Sequence, residues 1–135
     1  MKPVVYVLDS NALMAFFQME QGDAEVKRLI MKATVKECHL KLSIINWGEI
    51  YYSTVKSKGK SIAEQVWSFV DQLPIELVGV DQEMVRVAAI YKSMHSIAYA
   101  DCFAAALAKK ENAAVVTGDQ EFKLLHKDIK IHWIK

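Results

Sequence analysis

Val4-Val5-Tyr6-Val7-Leu8-Asp9-Ser10-Asn11 is the stretch on which the reading of the chain turns. The apolar run is too short for a buried helix, and its β-branched side chains suit a strand covered on both faces. Asp-Ser-Asn then ends it with residues that favour turns and helix N-caps. Strand, turn and helix start, in that order, open a β-α-β unit. The same polar residues cut the run short of a signal-peptide core or a bilayer span, so a soluble, cytoplasmic protein with no membrane partner is expected.

Working outward, a short helix is expected over 12–18. From Asp23 the residues Ala24, Val26, Leu29, Ile30 and Ala33 keep mainly to one helical face as far as Thr34, and His39-Leu40-Lys41-Leu42-Ser43 alternates like a second strand. The segment 45–55 carries Trp47, Ile50, Tyr51 and Tyr52 on nearly every side, so this helix needs cover beyond the sheet. Lys56-Ser57-Lys58-Gly59-Lys60 reads as a solvated turn. Ser61 followed by Glu64 has the form of a capping box ahead of Val66, Trp67, Phe69, Val70 and Leu73, and Pro74 stops that helix.

Ile75-Glu76-Leu77-Val78-Gly79-Val80 reads as a third strand, and Asp81 as the N-cap of a helix bearing Met84, Val85, Ala88 and Ala89. Ser96 is the expected N-cap of an alanine-rich helix reaching Lys110. Ala113-Ala114-Val115-Val116-Thr117 forms a fourth strand ending in Gly118-Asp119, and 129–133 a fifth after a short helix.

No linker, repeat or low-complexity segment interrupts this order. With 135 residues, 53% of them apolar, a single domain over 1–135 with one proper core is expected. Short buried strands alternating with helices call for a parallel sheet of about five strands with helices on both faces, an α/β/α three-layer sandwich joined by right-handed crossovers.

A formal net charge of +1 provides no broad basic surface, so any nucleic-acid contact must be local or shared with a second subunit. Lys56, Lys58 and Lys60 could touch phosphates, or simply solvate a helix end. Tyr51, Tyr52, Trp47 and Trp67 could stack on bases, or fill a core or dimer interface. Cys38 and Cys102 are far apart with no CxxC spacing and read as buried free thiols.

Ligands on open parallel sheets collect beyond the carboxyl ends of the strands, above all where strand order reverses. Asp9 and Asp119 both stand at such ends, and share a crevice if the first and fourth strands are neighbours. Each also has a structural explanation, Asp9 as an N-cap and Asp119 as part of a Gly-Asp turn. Glu49 lies between Ile45 and Tyr52 on a largely apolar helix surface, where an unpaired carboxylate carries a large desolvation cost, unless it reaches water or pairs with Lys56. Asp101 sits in the first turns of its helix, where the macrodipole favours negative charge, beside a small apolar face of Ala98, Ala104, Ala105 and Ala108. Gathered together, four carboxylates repel unless a hard cation joins them. Oxygen-only ligands with no His or Cys cluster favour Mg²⁺ or Mn²⁺ over zinc and point to phosphodiester chemistry.

Four segments carry a resemblance: Val7-Leu8-Asp9-Ser10-Asn11-Ala12-Leu13, Asn46-Trp47-Gly48-Glu49-Ile50, the run 98–108 from Ala98 through Asp101 to Ala108, and Val116-Thr117-Gly118-Asp119-Gln120-Glu121-Phe122. In this order and at these intervals the chain resembles the PIN-domain nucleases, in particular the VapC-type toxins of bacterial and archaeal toxin-antitoxin pairs, over essentially its whole length. The resemblance implies that Asp9, Glu49, Asp101 and Asp119 form an acidic Mg²⁺ site, with Asn11 and Thr117 supporting the acids. It implies an endoribonuclease in which metal-activated water attacks the RNA phosphodiester. It also implies a cognate antitoxin and a homodimer.

Other functions share parts of the pattern. A PIN fold could serve RNA maturation, or protein binding with catalysis lost. A receiver-type signalling domain needs paired acids after the first strand, a phospho-acceptor Asp after the third and a late Lys; the first strand here gives Asp-Ser-Asn and the third Val78-Gly79-Val80-Asp81, so the pair is missing. A haloacid-dehalogenase-like phosphatase needs a second Asp two residues beyond Asp9, and position 11 is Asn.

Overall fold

The computed structural model describes residues 3–135. Five strands, β1 (Val4–Leu8), β2 (Cys38–Ser43), β3 (Ile75–Val78), β4 (Ala114–Thr117) and β5 (Lys130–Trp133), form one sheet in the order β3-β2-β1-β4-β5. Every neighbouring pair is parallel. The chain therefore starts at the centre, winds outward to β3 and returns to the other side of β1. That return places the reversal of strand order between β1 and β4, where Leu8 pairs with Leu42 on one side and Val116 on the other.

Alternation along the strands splits the core into two layers. Val7 and Val115 face a layer closed by α5 (Gln82–Met94) and α6 (Tyr99–Glu111), with Met84, Ala88, Tyr91, Phe103 and Leu107 against them. Leu8 and Val116 face the other, closed by α1 (Ser10–Phe17), α2 (Asp23–Thr34), α3 (Ile44–Lys58) and α4 (Lys60–Asp71). This is the expected five-stranded sandwich. Cys38 and Cys102 are free and buried, one in each layer. Among the described residues no helix is long and apolar enough to cross a membrane.

The helix around Glu49 receives the additional cover that its sequence demands. Trp47 is fully buried and its ring lies 4.5 Å from that of Trp67 on α4, which Tyr51 meets edge-on at 5.5 Å. Tyr52 stays exposed. The helix starts at Ile44 because the Ser43 hydroxyl caps it, accepting from Ile45 N at 3.3 Å, and it continues through Lys56 and Lys58 to Gly59, whose φ of 91° breaks it. The solvated turn expected over 56–60 thus shrinks to one glycine.

Two expected caps are corrected. Ser61 heads no capping box: α4 begins at Lys60 behind Gly59, with no side-chain cap, and Glu64 accepts from Tyr51 Oη at 3.1 Å. Ser96 caps nothing either, because α6 begins only at Tyr99. Burial of Ile97, whose carbonyl accepts from Lys92 Nζ at 2.8 Å, holds this segment out of helical geometry. The Asp81 cap is present, with its carboxylate accepting from Met84 N at 2.8 Å, and β3 ends at Val78, short of the expected Val80.

Candidate metal centre

Asp9 leaves the end of β1 and turns into α1. Its Oδ1 accepts from Ala12 N at 2.8 Å, making it the helix N-cap, while Oδ2 accepts from Thr117 Oγ1 at 2.5 Å. Both explanations of this residue thus hold together: it caps a helix and it faces the end of β4. Asp9 is wholly buried, and burial pushes its carboxyl up to about 7. The hydrogen bonds from Thr117 and Ala12 oppose that rise, and the negative charges of Asp119 and Glu49 add to it.

Glu49, on α3, is half-buried and takes a short hydrogen bond from the buried Ser10 hydroxyl. Lys56 forms no ion pair with it among the described residues. Asp101 enters from the first turn of α6, 6% exposed, and burial followed by the charges of Asp9, Asp119, Glu49 and Glu121 pushes its carboxyl up to about 8. Fully buried Asn46 on α3 donates to the carbonyl of Ala100 at 3.1 Å, tying the helix of Glu49 to that of Asp101.

Asp119 follows Gly118 at the end of β4. Its N–H donates to Thr117 Oγ1 at 2.9 Å, and Gly118 N donates to Asn11 Oδ1 at 2.9 Å, so the turn is fixed from both α1 and β4. Asp119 Oδ1 accepts from Glu121 N at 2.9 Å and starts the 3₁₀ helix Gln120–Leu125. That turn folds Glu121 back, and carboxylate oxygens of Asp101, Asp119 and Glu121 all lie within 4.8 Å of one another. Sequence reasoning passed over Glu121. The available signal was an acid two residues beyond a turn aspartate, within reach of the same crevice.

A cleft of about 400 Å³ opens over these groups, lined among others by Ser10, Asn11, Glu49, Asp101, Asp119 and Glu121. Asp9 and Thr117 lie buried beside it. A larger hollow along α4, lined by Lys60, Glu64 and Phe69, is remote from these acids and holds no comparable chemistry.

The residues fit a divalent cation. Among the described residues none of the five acids has a Lys, Arg or His within ion-pair distance. Burial first, with the neighbouring negative charges adding to it, raises the carboxyls of Asp9 and Asp101 to about 7 and about 8. An all-oxygen donor set of this kind suits Mg²⁺ or Mn²⁺.

A family model described as the PIN domain matches residues 6–127. The chain belongs to the PIN domain family. Solved structures agree on the fold of this PIN domain. It superposes on VapBC2 from Rickettsia felis, solved with a DNA fragment from its promoter, with a TM-score of 0.75 at 20% identity, covering 96% of this chain and 98% of the other. DNA-bound VapBC from Salmonella typhimurium gives a TM-score of 0.75 at 17% identity, with 98% and 99% covered. VapC20 from Mycobacterium tuberculosis, a toxin that cleaves the sarcin-ricin loop, gives 0.69 at 14% identity, with 89% and 93% covered. No curated protein sequence matches significantly.

Proposed function

We propose that this PIN domain is a Mg²⁺-dependent endoribonuclease, with Mn²⁺ able to substitute, and the toxin of a toxin-antitoxin pair. The observation that carries the reading is the acidic cluster, in which Asp101, Asp119 and Glu121 share a 4.8 Å neighbourhood and the charges of Asp9 and Glu49 act on Asp101. Carboxylates so close remain ionised together only around a cation. When bound, the ion supplies Lewis acidity and lowers the pKa of water far enough to make it a nucleophile at neutral pH.

The rest falls to the chain's own residues. Asp9, Glu49, Asp101 and Asp119 are assigned as the catalytic acids and metal ligands, with Glu121 added to them. Thr117 orients Asp9 and, with Asn11, fixes the turn that carries Asp119. Ser10 steadies Glu49. These positioning bonds hold the acids at set angles before substrate arrives, which is where most of the catalytic advantage of such a site lies.

The toxin role and a protein antitoxin follow by analogy with the VapBC complexes and with the sarcin-ricin-loop-cleaving toxin of M. tuberculosis; an RNA substrate, a homodimer and a cytoplasmic setting rest on the resemblance of the four sequence segments to VapC-type toxins. On the same analogy residues 1–135 act as one nuclease domain. The test is RNA cleavage by wild type and by Asp101→Asn in Mg²⁺, in Mn²⁺ and in chelator. Cleavage confined to the metal-loaded wild type is expected; metal-independent cleavage untouched by the substitution overturns the mechanism. Growth arrest on expression, relieved by the protein of an adjoining gene, separates a toxin from a nuclease of RNA maturation.

A further inference from the structure

We propose that Lys135 is a phosphate anchor at the acidic cleft, the cation that receives the anionic RNA backbone beside the carboxylates. The inference rests on the nuclease reading above and names the residue that meets the charge of the substrate.

The cleft wall carries Glu20, Glu49, Asp101, Asp119 and Glu121, and among its described lining residues Lys135 is the one Lys or Arg. A phosphodiester approaching that wall meets repulsion from each acid left unneutralised. The overall charge of +1 leaves no broad basic surface to offset it. Lys135 makes no ion pair among the described residues, so its ammonium is free for a ligand.

Its position is built into the fold. Ile134 N donates to Thr117 O at 3.1 Å, and the Ile134 side chain is 7% exposed, so the backbone leading to Lys135 is pinned to the end of β4. From there the Lys135 stem crosses Gly118. A Cβ at Gly118 would stand 2.9 Å from Lys135 Cε and 3.0 Å from Asn11 Oδ1. The missing side chain at 118 therefore opens the path by which Lys135 reaches the cleft, next to the turn that carries Asp119. An ammonium there can donate to non-bridging phosphate oxygens, a charge-assisted bond.

The test compares wild type, Lys135→Gln and Lys135→Arg. Binding of a fluorescently labelled single-stranded RNA is followed by anisotropy in chelator over a range of KCl, cleavage is followed in Mg²⁺, and Mg²⁺ affinity is taken by calorimetry. Lys135→Gln is expected to weaken binding and raise KM about tenfold, with a smaller change in kcat, as for one lost charge-assisted bond. It should also flatten the slope of log affinity against log salt by about 0.7, one phosphate contact. Lys135→Arg should restore both. If wild type cleaves RNA and Lys135→Gln matches it in KM and salt slope, the anchor fails while the nuclease stands. If Lys135→Gln leaves RNA binding intact but binds Mg²⁺ several-fold tighter, Lys135 is a counter-charge to the acids and the proposal is wrong. Wild type that neither binds nor cleaves RNA in Mg²⁺ overturns both readings.

Discussion

Thr117 Oγ1 donates to Asp9 Oδ2 at 2.5 Å, joining neighbouring strand ends that stand 108 positions apart in the chain. The same hydroxyl accepts from Asp119 N at 2.9 Å, so one small side chain sets two acids. Thr117→Val keeps the shape and removes both bonds. Loss of metal affinity or kcat of about 10- to 100-fold is expected, the usual effect of deleting a group that orients a metal ligand, with Thr117→Ser close to wild type. Calorimetric Mg²⁺ titration and cleavage rates measure this; a fully active Thr117→Val protein contradicts the assigned role.

In chelator, Asp9 and Asp101 keep their protons up to about 7 and about 8, whereas the unfolded chain releases them near 3.8. Between those values the folded state binds more protons, so stability falls as pH rises, by up to about 1.4 kcal/mol per pH unit for each group. The opposite sign applies to Glu25, which its hydrogen bond to Arg28 draws down to about 2. Its contribution is complete above the ordinary value of 4.5 and fades as pH drops toward 2. The metal-free Tm should therefore be higher at about pH 5.5 than at about pH 8.5 and fall again in stronger acid. A Tm that climbs steadily to pH 8.5 would rule this out.

Cation binding must expel those protons. Near pH 7, Mg²⁺ titrations in buffers of different ionisation enthalpy should give different apparent heats, corresponding to the release of between about one and two protons. Identical heats in all buffers would mean that the two carboxyls are already ionised.

Function and stability should separate at Asp101. With metal chelated near pH 8.5, Asp101→Asn removes a buried carboxyl surrounded by four like charges, so Tm should stay level or rise, with a gain on the order of 1 kcal/mol. RNA cleavage should vanish in the same protein. A large fall in Tm would recast Asp101 as a structural residue.

Trp47 should behave in the reverse way. It is fully buried against Trp67, so Trp47→Ala should cost about 3–5 kcal/mol in denaturant unfolding. Trp67→Ala should cost less, because that residue is 38% exposed. Equal costs would contradict the ranking by burial and show that Trp67 packs as productively as Trp47 in spite of its exposure.

Much of this architecture is written locally. The apolar runs ending in Asp9 and in Gly118-Asp119 identify β1 and β4 together with the acids that follow them, and the pairing of Leu8 with Val116 meets the condition on which their shared crevice depends. What local signals misjudged was decided at a distance. Ser96 carries a good capping side chain, yet the burial of Ile97 governs where α6 begins. Ser61 and Glu64 have capping-box spacing, yet Gly59 sets the start of α4 and Tyr51 takes up Glu64. Glu121 was hidden for a related reason. Its place near Asp101 depends on a 3₁₀ turn whose direction is fixed by the Asp119 cap, and no periodicity in the sequence records that direction.

The sheet order has a bearing on biosynthesis. Asp9 emerges from the ribosome more than a hundred residues before Thr117 and Asp119, and meets them only once β4 lies beside β1. A nascent chain arrested anywhere before that strand carries an incomplete set of acids. On the proposed reading such fragments are harmless to the RNA around them, and the hazard begins only when the chain has been made past Glu121.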